Sequence, residues 1–202
     1  MKTGLTFLLL FYFIFSFSQK KIIENFEIEI DKAKEPSSFS NALLRSVKFD
    51  EAKLKFIMVK CKIKSLDKDF AEISAFSLLD TVNKVRYRVG DYLGYASIVG
   101  FPEVNPYRKS ESNDKKYTYN SPKYDSNEID QFDKFNFEGY KNFEIPIEFG
   151  SDKKPDQSVI YFGKTAYKNF KAEMFFITLR EMKEAVFELY YKNNKISSFQ
   201  IE

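Results

Sequence analysis

Three separate stretches of this chain alternate apolar and polar side chains with period two, and that alternation constrains the fold more than any other feature. Residues 24–30 read Glu-Asn-Phe-Glu-Ile-Glu-Ile. Residues 57–64 read Ile-Met-Val-Lys-Cys-Lys-Ile-Lys, and residues 84–89 read Lys-Val-Arg-Tyr-Arg-Val. A strand points successive side chains to opposite faces, so each run has one buried and one wet face. The apolar phases, together with a late run at 185–191, predict a core of Phe26, Ile28, Ile30, Ile57, Val59, Cys61, Ile63, Val85, Tyr87, Val89, Phe187 and Leu189.

The phase slips between Phe56 and Ile57, because Leu54 and Phe56 alternate one residue out of step with Ile57 and Val59. Two readings account for it: a β-bulge, or a strand covered on both faces over 56–59. Residues 31–36 read as a turn, and residues 40–47 as a short helix. A further strand is expected within 70–79, a turn at 80–83, and an end to the third run at Gly90-Asp91. Short connections make these strands a meander. Residues 185–191 and 196–201 form a C-terminal hairpin around a turn at 192–195. A helix over 179–190 competes with it, through a capping-box pattern at 178–181 and helical spacing of Leu179, Met182, Val186 and Leu189.

Between residues 102 and 157 the composition changes. Five of the six prolines fall there, interleaved with Tyr and Phe. The stretch is too long for an ordinary connection and too aromatic for a disordered linker. It reads as an insertion folded back onto the main sheets. Within it, residues 125–128 can cap a short helix carrying Ile129, Phe132 and Phe135 on one side, with Gly139 at its end. Loop-closure entropy grows slowly with length, so exchanging residues 110–139 for a short linker is expected to leave the remainder folded.

The first eighteen residues have one lysine, an apolar run from Leu5 to Phe15, and Ser16-Phe17-Ser18. That is the pattern of a cleaved export signal, and it is short for a bilayer span. The expected organisation is therefore a signal peptide at 1–18 and one domain at 19–202, periplasmic or secreted, not integral to the membrane after cleavage. The chain has 32 Lys and Arg against 29 Asp and Glu, a formal net charge of +3. Loss of Lys2 with the signal leaves +2. Such a balance does not call for a nucleic-acid partner. One cysteine excludes an internal disulfide framework. The absence of histidine excludes Ser-His and Cys-His nucleophile systems and makes a zinc site difficult to build.

The order of the strands, with residues 55–64, then 76–87, then Pro155-Asp156-Gln157-Ser158 before 159–162, and 187–191 near the end, resembles the telokin-like, immunoglobulin-type β-sandwich domains of bacterial secreted proteins and lipoproteins. That resemblance implies an all-β, antiparallel immunoglobulin-like β-sandwich with the aromatic-rich insertion, and no general catalytic activity.

Candidate sites are few. Asp125, Glu128, Asp130 and Asp133 are an acidic run without EF-hand spacing, which reads as a solvated face, so no metal is expected. No cofactor is expected either. Lys53, Lys55, Lys60, Lys62 and Lys64 make a basic strand face, suited to protecting a sheet edge or to attracting anionic envelope lipid or polysaccharide. The aromatic side chains Tyr107, Tyr117, Tyr119, Tyr124, Phe132, Phe135 and Tyr140 are the candidate partner-binding surface, against the alternative of a hydrophobic cluster beneath a long loop. The resulting functional expectation is a non-enzymatic, exported binding domain of the cell envelope, its partner an envelope protein or small ligand. The alternatives are a lipocalin-like carrier of an apolar ligand and a His-free hydrolase using paired carboxylates. Export predicts that N-terminal sequencing of the secreted protein begins at Gln19; a secreted protein still starting at Met1 contradicts it.

Overall fold

The structure, a computed structural model, describes residues 19–36, 50, 52–95, 106–111, 122–151, 153–181 and 185–201. The expected helix at 40–47 lies outside them. In chain order the described residues form β1 (Gln19–Ile23), β2 (Phe26–Lys34), β3 (Leu54–Ser65), a 3-10 turn (Ile73–Ala75), β4 (Phe76–Asp80) and β5 (Val85–Tyr95). The insertion contributes β6 (Pro106–Arg108), a second 3-10 turn (Gln131–Lys134), β7 (Lys141–Phe143), β8 (Ile147–Ser151) and β9 (Lys154–Ser158). The chain closes with β10 (Ile160–Phe162), β11 (Asn169–Leu179), β12 (Val186–Tyr191) and β13 (Asn194–Gln200).

The protein is all-β, and its pairing is antiparallel except for β7, which runs parallel to the start of β5. The main sheet follows a single path, β1-β2-β3-β11-β5-β4-β12-β13. Its first and last strands come back together: the Lys21 ammonium donates to the Lys195 carbonyl, and Lys192 pairs with Glu24 at 2.5 Å. The sheet is thus rolled into a nearly closed barrel, where the sequence led us to expect two sheets face to face. Near-closure hides most of the unpaired backbone that flat edge strands would expose.

Every residue of the expected core is buried. Phe26, Phe76 and Tyr191 meet inside the barrel, with ring centroids 5.5 Å and 4.8 Å from Tyr191. The Tyr191 hydroxyl accepts from the Glu72 amide, so this tyrosine is not left with an orphaned polar tip. Cys61 is a buried free thiol, its titration pushed far up by burial. The barrel interior is filled by side chains, as barrels of about eight strands commonly are.

Several local expectations change. The meander does not form, because β11 is inserted between β3 and β5. Between Phe56 and Ile57 β3 pairs with β11 without interruption, and residues 56–59 are all buried, so the covered strand is the correct reading. The bulge lies instead in β2 at Asp31, and β2 runs on to Lys34 where a turn was expected. Gly90-Asp91 does not end β5; Gly90 is an extra residue between Val89 and Asp91 in the pairing with β11. A Cβ on Gly90 would fall 2.8 Å from the Ile177 side chain, so any larger residue there requires that side chain to shift. Over 179–190 the described residues are the end of β11 and most of β12, and β12 and β13 form the expected hairpin around Lys192-Asn193. Lys192 sits at φ 54°, a left-handed turn position.

Asp91, at this bulge, is 4% exposed and accepts one hydrogen bond, from the Tyr92 amide at 2.7 Å. Burial pushes its carboxyl up to about 7. Because an unfolded aspartate titrates near ~3.9, the native state holds this proton more tightly, and stability falls as pH rises from about 4 to about 7. Asp91→Asn is expected to remove that slope. Urea unfolding should show the variant gaining on the wild type by roughly 2 kcal/mol between pH 5 and pH 8.

Candidate functional site

Strand β5 carries two arginines in its polar phase, Arg86 and Arg88. Val85, Tyr87 and Val89, in the other phase, point into the barrel. A strand with one wet face would leave those arginines in solvent, yet Arg86 is fully buried and Arg88 is 8% exposed. The insertion covers them. Phe132, from the second 3-10 turn, lies over both guanidiniums, its ring centroid 3.8 Å from Arg86 Cζ and 4.5 Å from Arg88 Cζ. Stacking on a desolvated guanidinium is worth about 2 kcal/mol.

The donors of Arg86 are met by neutral acceptors. Its Nε and one terminal nitrogen donate to Ser77 Oγ at 3.0 and 2.8 Å, and the other donates to the Phe135 carbonyl. Burial, and then the like charge of Arg88, lower its titration to about 10. Arg88 takes the carboxylates: Asp130 at 2.8 Å, Glu144 at 3.2 Å and Asp133 at 3.8 Å, with a further bond to the Ile160 carbonyl at 3.0 Å. Lys109 joins the same three acids at 3.5, 2.8 and 2.8 Å for Asp130, Asp133 and Glu144. Three cations, counting Arg86, therefore face three carboxylates. Asp130 also caps the 3-10 turn by accepting from the Phe132 amide at 3.1 Å. One residue thus sets the turn and binds it to the barrel. A second anchor is Arg108, 3% exposed, which grips Asp156 through two nitrogens. Asp156 is a β9 residue.

The candidate aromatic residues divide. Tyr107 is half-buried and stacked on Tyr161, centroids 5.5 Å apart. Gly163 lies beneath it, where a Cβ would come within 2.9 Å of the Tyr107 ring. Tyr124 is exposed. Tyr140 is half-buried with Lys84 5.0 Å above its ring, and Phe137 bridges it to Tyr190. Phe135 is half-buried and supplies its carbonyl to Arg86. Phe132 is wholly interior, so its role is in the packing beneath the insertion. Tyr117 and Tyr119 lie outside the described residues. Ile129, expected beside Phe132, is exposed.

The acidic run is not a solvated face either. Asp130 and Asp133 are ion partners of Arg88 and Lys109, while Asp125 holds the Asn127 amide and side chain. No cluster of potential metal ligands occurs among the described residues. The basic face of β3 does not guard an edge, since β3 is flanked by β2 and β11. Lys60 pairs with Glu173 at 2.8 Å, and Lys62 with Glu29 and Asp31 at 3.1 and 3.0 Å. Among the described residues no helix is long and apolar enough to cross a membrane. No family model, curated protein or solved structure matches the chain.

The network changes one expectation about the insertion. Exchanging residues 110–139 would strip Arg86 and Arg88 of Phe132, Asp130, Asp133 and the Phe135 carbonyl, and leave Arg86 with Ser77 and Arg88 with Glu144 and the Ile160 carbonyl. Arg88→Leu tests the same point on a smaller scale, because it leaves Asp130, itself 8% exposed, without its closest cation. Breaking a buried pair from one side costs about 3–5 kcal/mol. Lys109→Ala, at the half-exposed rim of the network, should cost no more than about 1 kcal/mol. Urea unfolding of the two variants reads the difference.

Proposed function

We propose that this protein is an exported, non-catalytic binding domain of the cell envelope, a rigid barrel whose insertion presents the recognition surface. The observation that carries the reading is the way the insertion is held. A loop that merely connected β5 to β10 would need no ion network under it. Here Arg88, Arg108 and Lys109 tie its described residues to one another and to the barrel, and Tyr107, Tyr124 and Tyr140 reach the outside on that support. Aromatic side chains on a pre-ordered surface lose little entropy on binding, which favours affinity. The charges beneath are paired with one another, Arg88 Nε alone of that guanidinium lacking a hydrogen-bond partner, in keeping with a structural role for those charges. A packed barrel interior speaks for recognition on the outside rather than for a carried apolar ligand.

The test uses the side chains that face out. Tyr124→Ser combined with Tyr140→Ser should leave the melting temperature within a few degrees of the wild type, since neither ring is in the barrel core. It should weaken the partner recovered by the wild-type protein from its own envelope extract by about 30-fold or more, the loss of one binding hot spot. Equal recovery of that partner by both proteins places recognition elsewhere.

A further inference from the structure

One end of the barrel gathers four connections: the β1–β2 turn at 24–25, the β3–β4 connection at 66–72, the segment 163–168 before β11, and the β12–β13 turn at 192–193. Backbone hydrogen bonds tie them together. Ser65 donates to the Lys168 carbonyl at 2.6 Å, Leu66 to Asn25 at 2.7 Å, Thr165 to Ala71 at 2.9 Å, and Lys192 to Ala75 at 2.8 Å. Asp69 also accepts from the Asn25 side chain at 3.3 Å. The rim is therefore a built surface of linked loops.

On it stand three large apolar side chains with their surfaces in water: Leu66 at 49% exposure, Tyr167 at 46% and Phe70 at 39%. Around them are Lys64, Lys68, Lys168 and Lys171, all exposed and none in an ion pair among the described residues. This sets them apart from Lys60 and Lys62 on the same sheet, which have acidic partners. Lys168 lies 5.5 Å from the centre of the Phe70 ring. Glu24 and Glu72 on this rim are paired with Lys192 and Lys164; the remaining acids are Asp67 and Asp69, so four free lysines against two carboxylates leave this end positive by two.

From this combination we infer that the rim docks on an anionic lipid bilayer, with Leu66, Phe70 and Tyr167 entering the interface and the lysines facing phosphate headgroups. The apolar part and the charged part need the same partner. Aromatic and leucine side chains gain by leaving water at the headgroup level. Lysines beside a negative surface add attraction of about 1 kcal/mol each, roughly fivefold in partitioning. A protein partner could cover the apolar rim, but the surplus of flexible, unpaired lysines matches a diffuse array of phosphates better than a fixed set of carboxylates. Leu66, Phe70 and Tyr167 are not among the aromatic residues assigned to the insertion's surface, so the two proposals are tested by different substitutions and fail independently.

The chain contains no tryptophan, and this makes the test site-specific. Phe70→Trp places the sole indole on the rim, and Val82→Trp places it in the β4–β5 turn at the other end, where the side chain is also exposed. Vesicles rich in phosphatidylglycerol and carrying brominated acyl chains should shift the Phe70→Trp emission to the blue and quench it, while leaving Val82→Trp unchanged. Purely zwitterionic vesicles should do much less. Adding Lys68→Glu and Lys168→Glu to the Phe70→Trp protein should weaken partitioning by about 25-fold or more. The inference is overturned if Phe70→Trp stays unquenched on anionic vesicles, if Val82→Trp is quenched equally, or if the double charge reversal leaves partitioning unaltered. A blue shift that follows protein concentration without lipid also overturns it, and assigns the rim to a second copy of the chain.

Discussion

Strand β5 must be dry on both faces, and the rest of the molecule is arranged around that requirement. Its inner phase, Val85, Tyr87 and Val89, completes the barrel core. Its outer phase brings two guanidiniums out of water. Taking a charge from water costs several kcal/mol even after relaxation, so Arg86 and Arg88 demand acceptors and counter-charges from whatever covers them. The 3-10 turn at Gln131–Lys134 supplies the Phe132 ring and Asp133; the chain just before it supplies the Asp130 carboxylate, and the chain after it the Phe135 carbonyl and Glu144. The segment 130–144 of the insertion is thus held in place by the charges that it covers.

Closure of the barrel rests on smaller devices. Extra residues at Asp31 in β2, Gly90 in β5 and Ile196 in β13 each interrupt an otherwise regular ladder. Such bulges raise the local twist and bend a strand, and a sheet must bend to bring its two edges together. Gly90 serves two ends, because the same residue that lets β5 turn toward β11 also admits the Ile177 side chain. The seam itself is joined by lysine side chains, Lys21 of β1 and Lys192 of the β12–β13 turn, which reach across where the backbone ladder stops.

The candidate site was legible only in fragments. Arg86 and Arg88 stand in the cleanest alternating run of the chain, and alternation alone assigns them to water. What contradicts that assignment is an aspartate 42 residues further on and an aromatic ring two residues beyond it, and no local pattern joins them. The acidic run at 125–133 was visible, but its meaning reverses once its partners are known. The aromatic excess between residues 102 and 157 was visible as well. Phe132 and Tyr124 look alike in sequence, and only the fold buries one and exposes the other.

The chain by itself determined that the protein is built from antiparallel strands, and which side of each faces inward. Period-two alternation is a local property, forced by the geometry of extended backbone, and so the whole expected core is buried where the pattern put it. It also marked 102–157 as a stretch apart in composition, rich in proline and aromatic residues. Only the tertiary structure decided that the strands roll into one nearly closed sheet, because strand order depends on pairing between distant segments: β11 reaches its place between β3 and β5 from a hundred residues away. The same is true of the buried charges. Whether an arginine on a strand faces water or a carboxylate depends on what folds over it, and that information lies in another part of the chain.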